Sequence, residues 1–227
     1  MTYPPAPWHT HGRAFIQPYL VQASSLSLPD GFRPVTLAGR CVGILALIQY
    51  VPPSPLTYAE LAWMPCLVSA RGVRGYYIEK MYVDSEASVA GGRELWAIPK
   101  QLARFAFASR GLASTRSAAE GRSGESIDDN YATIDTEDGA HVELSLFKRG
   151  PSIPLRAGAG TVQDGGTDLV RFRGRGTART ASGGLAVRTA DGLDAWNGWR
   201  TATRLPGLGA ALTSFEITML PPVRRPR

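Results

Sequence analysis

The chain has 227 residues, 44% hydrophobic and 19% charged, close to globular averages, which excludes a disordered or fibrous chain. Its formal charge of +6 comes from scattered arginines rather than a basic stripe, so no nucleic-acid partner is expected, and the positive field favours small anions. No run of about 18 apolar residues occurs, and the N-terminus MTYPPAPWHTHGRAF has neither a basic nor an apolar leader region. No membrane association is expected, and the chain reads as cytoplasmic.

At this length one domain over residues 1–227 is expected. Short apolar or alternating runs rich in β-branched and aromatic residues predict strands at Ala14–Gln22, Cys41–Val51, Leu56–Val68, Tyr76–Val83 and Leu102–Ser109. Further strands are predicted at Tyr131–Asp135, His141–Phe147, Asp168–Arg173, Gly184–Thr189 and Ser214–Leu220. The fold class is therefore mainly β, an antiparallel β-barrel or sandwich with few short helices. One helix is predicted over Glu86–Leu95, capped by Asp84 or Ser85 and weakened by Gly91 and Gly92. Pro99 disfavours helical backbone at Ile98, so Lys100 should enter the next strand on extended or turn backbone.

Gly111–Asn130 is polar and aperiodic and reads as a mobile surface loop; Pro151–Gly166 reads as a second loop-rich stretch. Its GAGTVQDGG does not fit a phosphate-cradling glycine motif, so no nucleotide is assigned. The C-terminal PPVRRPR reads as a short solvated tail. His9 and His11 have no acidic or cysteine partners in sequence and read as histidines of a flexible terminus, with no metal site. Cys41 and Cys66 read as small buried hydrophobes rather than a disulfide. Trp196 and Trp199 are assigned to core or subunit contact ahead of ligand stacking.

Lys80, Lys100 and Lys148 are the only lysines among 25 basic residues. Lys100 stands out because it follows Leu95, Trp96, Ala97, Ile98 and Pro99 and precedes Leu102, Ala103 and Phe105. A free lysine with a pKa of about 10.4 is only about 0.04% neutral amine at pH 7, and burial in apolar surroundings lowers that pKa. Taken alone, the stretch reads first as a surface lysine opening a strand; as a nucleophile it requires a depressed pKa.

The segment GVRGYYIEKM followed by YVDSEASVAGGRELWAIPKQL resembles the signature of the acetoacetate decarboxylase family, whose members carry a similar Gly-Arg-Glu-Leu, a short spacer and Pro-Lys. The resemblance is good from Pro5 to Phe105 and strongest from Gly72 to Leu102; beyond Arg110 only general β character and SFEITMLPP align. It implies that Lys100 forms a Schiff base with a keto acid; acetoacetate decarboxylase is itself a standing example of an activated lysine. It further implies that Arg13, in THGRAF, binds the substrate carboxylate and that Glu60, in LTYAEL, orients Arg13. Gln101 stands where the family has a second lysine, and is expected to hydrogen-bond substrate; Met81 and Tyr82 are expected to line the pocket. A second acidic residue of the family pocket has no counterpart in ILALIQY, Ile44–Tyr50. Arg93 and Glu94 are expected to fix the Lys100 turn through ion pairs or hydrogen bonds.

The resemblance thus implies a cofactor-independent, homo-oligomeric lyase that decarboxylates a small β-keto acid through an imine on Lys100. The alternatives are a Schiff-base aldolase or dehydratase acting on a 2-keto acid, and a small-molecule-binding barrel without turnover.

Overall fold

The computed structural model describes residues 2–109 and 129–226. In chain order the strands are β1 (Trp8–Gln22), β2 (Arg33–Pro34), β3 (Arg40–Val51), β4 (Tyr58–Met64), β5 (Cys66–Ala70), β6 (Val73–Tyr77) and β7 (Lys80–Val83). The helix α1 (Glu86–Trp96) follows, then β8 (Lys100–Ser109), β9 (Asp129–Thr136), β10 (His141–Asp164), β11 (Asp168–Asp191), β12 (Thr203–Arg204), β13 (Ala210–Met219) and β14 (Val223–Pro226). The strands form one 14-stranded sheet in the order β14-β11-β13-β1-β3-β4-β7-β8-β9-β10-β6-β5-β2, with β12 on β1. β10 also pairs along its length with β11, so the order folds back on itself. This is the mainly β architecture expected, with apolar clusters on both faces of the sheet in the manner of a sandwich.

Strand alternation sorts side chains between the two clusters. On β3, Leu45 and Leu47 enter a large core with Trp63, Tyr82, Ile134 and Trp196, whereas Tyr50 joins Trp8, Ala62, Met81, Trp96 and Phe215 on the other face. Most pairings are antiparallel. β7 and β8 run parallel because α1 carries the chain back between them, and that crossover sets Lys100 opposite Met81.

Helix α1 forms where expected. Ser85 is the cap, accepting from the Ser88 N–H; the carboxylate of Asp84 instead accepts from the Ala59 N–H at 2.7 Å. The helix ends at Ala97, which adopts left-handed backbone (φ 53°), and the Ile98 N–H bonds back to the Gly92 carbonyl.

Several expectations are corrected. Pro151–Gly166 is not loop-rich: β10 continues to Asp164, paired with β11 from Ile153 to Asp164. Local composition there is poor for a strand, but the partner strand satisfies the backbone groups whatever the side chains are. The predicted strands Asp168–Arg173 and Gly184–Thr189 are the two ends of β11. Pro65 divides the predicted Leu56–Val68 strand into β4 and β5, and Tyr76–Val83 divides between β6 and β7. His9 and His11 lie within β1, where His9 Nδ1 is 3.1 Å from Thr218 Oγ1, so neither belongs to a flexible terminus. Nor is the C-terminus a free tail, since β14 pairs with β11 and Arg224 donates to the Glu94 carbonyl at 2.8 Å.

Cys41 and Cys66 are buried free thiols. Trp196 is buried and stacked on Tyr82, and Trp199 packs on Trp63. The predicted loop Gly111–Asn130 lies outside the described residues apart from its last two, which open β9. Among the described residues, no helix is long and apolar enough to cross a membrane.

Candidate active site

Lys100 opens β8 with its side chain turned inward beneath α1, and the residue is only 3% exposed. Its Nζ donates to Glu60 Oε2 at 2.8 Å, Ser88 Oγ at 2.8 Å and Tyr58 Oη at 3.2 Å. A buried ammonium has three donors to satisfy, and these three acceptors come from β4 and α1. Glu60 is itself 4% exposed and accepts a longer bond of 3.4 Å from the Tyr50 hydroxyl.

The helix fits so closely over Lys100 because position 92 is glycine. A Cβ there would stand 2.5 Å from Lys100 Cδ and 2.8 Å from Cε. Gly91 likewise admits the Trp8 ring, whose carbons lie 2.8 Å from where a Cβ would be. The two glycines cost helix propensity and make room for the site. Arg93 donates from Nε to the Lys100 carbonyl at 2.8 Å, fixing the turn as expected. Glu94 instead accepts from the Tyr3 hydroxyl at 2.6 Å.

Burial pushes the Lys100 amine toward its neutral form, but the Glu60 carboxylate, assisted by Tyr58, outweighs it and holds the pKa above the ordinary lysine value. This corrects the expected depressed pKa: an opposite charge at contact distance wins over desolvation. Burial also raises the hydroxyls of Tyr50 and Tyr58; Glu60 adds to the effect at both, while the Lys100 charge opposes it at Tyr58.

Lys100 and Glu60 line a cavity of about 370 Å³. The remaining walls are almost wholly apolar, including Ala62 and Met64 of β4, Ile44, Ala46 and Ile48 of β3, and Met81 of β7. Lys100 is the only cationic side chain lining it among the described residues.

Of the predicted site residues, the structure gathers Lys100, Glu60 and Met81, and separates the others. Ala14 and Ile16 face the cavity, so alternation turns Arg13 to the opposite face of β1, where it is half-buried and its Nε donates to Gln49 Oε1. Glu60 therefore partners Lys100 rather than orienting Arg13. Gln101 is paired with Tyr82 across β7 and β8, and both follow cavity residues by one position. Neither lines the cavity. Tyr82 stacks on Trp196 and bonds Asp138 at 2.8 Å. Ser88, Tyr58 and Tyr50 were not singled out from the sequence, and Gly92 was read only as weakening the helix; the legible signals were a tyrosine two residues before Glu60 and a glycine pair in the helix that precedes Pro-Lys.

The acetoacetate decarboxylase family model matches residues 1–130, more than half of the chain. The chain belongs to the acetoacetate decarboxylase family. Acetoacetate decarboxylase 1 of Bradyrhizobium diazoefficiens is 57% identical over 37 residues, 16% of this chain and 15% of that protein. Acetoacetate decarboxylase 3 of Mesorhizobium japonicum is 53% identical over 36 residues, 16% of this chain and 14% of that protein. The chain thus matches only a small part of the length of these curated relatives. Among solved structures, acetoacetate decarboxylase from Legionella pneumophila superposes with a TM-score of 0.62 at 17% identity, covering 99% of this chain and 89% of that one. The enduracididine biosynthesis enzyme MppR, complexed with the condensation product of pyruvate and imidazole 4-carboxaldehyde, gives 0.59 at 17% identity, covering 99% and 90%. At such identities the likeness to an acetoacetate decarboxylase is one of fold.

Proposed function

We propose that this family member is an imine-forming decarboxylase of a β-keto acid, with Lys100 as the nucleophile and Glu60 as its proton partner. The observation that carries this reading is the buried Lys100–Glu60 pair, 2.8 Å apart, in the wall of a mostly apolar cavity.

The resting amine is held protonated, so it must lose a proton before it can attack. Glu60 is within hydrogen-bond reach to accept it. The neutral Nζ adds to the keto carbon; the protonated Glu60 then returns its proton to the carbinolamine oxygen, which leaves as water. The ammonium, carboxylate and ketone become an iminium, a carboxylate and one water. The electrons of the bond to the substrate carboxylate flow into the iminium, carbon dioxide departs, and a neutral enamine remains. Protonation of the enamine carbon and attack by water release the ketone and restore Lys100.

Two features of the cavity support loss of carbon dioxide. A substrate carboxylate would enter an apolar space without a cationic clamp among the described lining residues and near the Glu60 charge, which destabilises the localised anion of the ground state. The transition state disperses that charge toward the iminium and neutral carbon dioxide, so it loses less by desolvation. Ser88 and Tyr58 fix where Nζ sits, which is a positioning contribution.

The test is borohydride reduction in the presence of acetoacetate, with mass spectrometry to locate the adduct and carbon dioxide measured in parallel. A reduced adduct on Lys100, absent in Lys100→Ala, together with carbon dioxide release is the expected result. A folded protein that gives no adduct rules out the imine, and an adduct without carbon dioxide rules out decarboxylation.

A further inference from the structure

The cavity is larger than a four-carbon acid requires, and its only charged lining side chains among the described residues are Lys100 and Glu60. Its volume of about 370 Å³ lies in the range of roughly 300–1,000 Å³ that encloses drug-sized ligands. Ile48 pairs with Glu60, Ala46 with Ala62, and Ile44 with Met64, and all six line the cavity. At about 3.3 Å per residue, Met64 lies roughly 13 Å along β4 from Glu60. Between these rows, the neighbouring pair Ala46 and Ala62 offers the smallest side chains of this β3–β4 wall and leaves a shallow channel over it. Ile16 of β1 and Leu212 of β13 extend the apolar surface beyond β3.

We propose that the substrate is a β-keto acid whose keto group bears a long aliphatic or aromatic tail, running from Lys100 over the Ala46–Ala62 pair toward Ile44 and Met64. The proposal rests on the imine chemistry above and adds its specificity. Acetoacetate would place a single methyl group in this channel and leave the rest unfilled, whereas a longer tail would exchange water for apolar contact along the whole wall. Each methylene buried contributes about 0.8 kcal/mol, equivalent to about fourfold in efficiency. The channel thus selects by burial of the tail, while Lys100 and Glu60 treat the keto group alike in short and long substrates.

The test is the rate of borohydride trapping on Lys100, at substrate concentrations well below saturation, for 3-oxobutanoate, 3-oxohexanoate, 3-oxooctanoate and 3-oxo-3-phenylpropanoate. Trapping should rise along the aliphatic series, by at least tenfold from the four-carbon to the eight-carbon acid, and the phenyl compound should exceed 3-oxobutanoate. Ala62→Leu should lower the ratio of eight-carbon to four-carbon trapping by tenfold or more; if that variant does not fold, Ala46→Leu fills the same stretch of channel from β3. A flat or falling series with the label on Lys100 overturns the tail proposal and leaves the imine intact. An unchanged ratio in a folded channel variant also overturns it. If no acid labels Lys100 in the folded wild-type protein, the imine reading fails and the proposal falls with it.

Discussion

Replacing Gly92 with alanine places a methyl carbon 2.5 Å from Lys100 Cδ and 2.8 Å from Cε, where carbon atoms normally approach to about 3.5–4.0 Å. The clash calls for a displacement of about 1 Å. Lys100 has little room to supply it, being 3% exposed with Nζ held by Glu60, Ser88 and Tyr58. A shift of that size stretches the 3.2 Å bond to Tyr58 beyond hydrogen-bond range and weakens the other two. Overpacking costs about 1–3 kcal/mol, while replacing a helical glycine returns about 1 kcal/mol, so the net loss of stability is about 0–2 kcal/mol. For a chain of this length that lowers Tm by a few degrees. Displacing the nucleophile by about 1 Å costs on the order of 100-fold in rate. Thermal unfolding and borohydride trapping on Lys100, measured side by side, should therefore separate: Tm changes little and trapping falls about 100-fold. Trapping at the wild-type rate in a folded Gly92→Ala protein would refute the claim that the helix sets the position of Nζ.

Glu60→Gln removes the charge that holds Lys100 protonated and leaves its burial in place. The midpoint of pH-dependent labelling of Lys100 should fall below the wild-type midpoint, while turnover drops by about 100-fold or more because glutamine cannot accept the proton; an unchanged midpoint would contradict the pairing. Glu79 has its pKa pushed up to about 7, chiefly by burial, and its Oε2 is buried without a hydrogen-bond partner. Because its folded pKa exceeds the ordinary 4.5, the stability that Glu79 contributes is fully present below about pH 4.5 and is lost as pH rises toward 7. Glu79→Gln should raise Tm relative to wild type more at pH 8 than at pH 4.5. The upper bound is about 3 kcal/mol, reduced by screening at the partly exposed side chain, and an equal Tm difference at both pH values would count against this account. Ser85→Ala deprives the Ser88 N–H of its acceptor and should destabilise by about 1 kcal/mol, read as a drop of about 2–4 °C in Tm.

The alternation and turn chemistry of the sequence were sufficient for the β class, for the helix after Asp84 and for its end before Pro99, because these depend on local backbone preference. The Pro-Lys signature singled out Lys100 and LTYAEL singled out Glu60, since both lie in contiguous motifs. Composition misled at Pro151–Gly166, where pairing with β11 rather than intrinsic propensity makes the strand. It also could not decide which face of a strand points at the site. Arg13, Gln101 and Tyr82 each stand one position from a cavity residue, and with a side-chain period of two that single step places them on the opposite face. Ser88, Tyr58 and Lys100 come from three segments, α1, β4 and β8, that meet only in the folded chain. The sign of the Lys100 pKa shift was a tertiary matter for the same reason: a contiguous apolar segment encodes desolvation, but the carboxylate that overcomes it is 40 residues away in sequence.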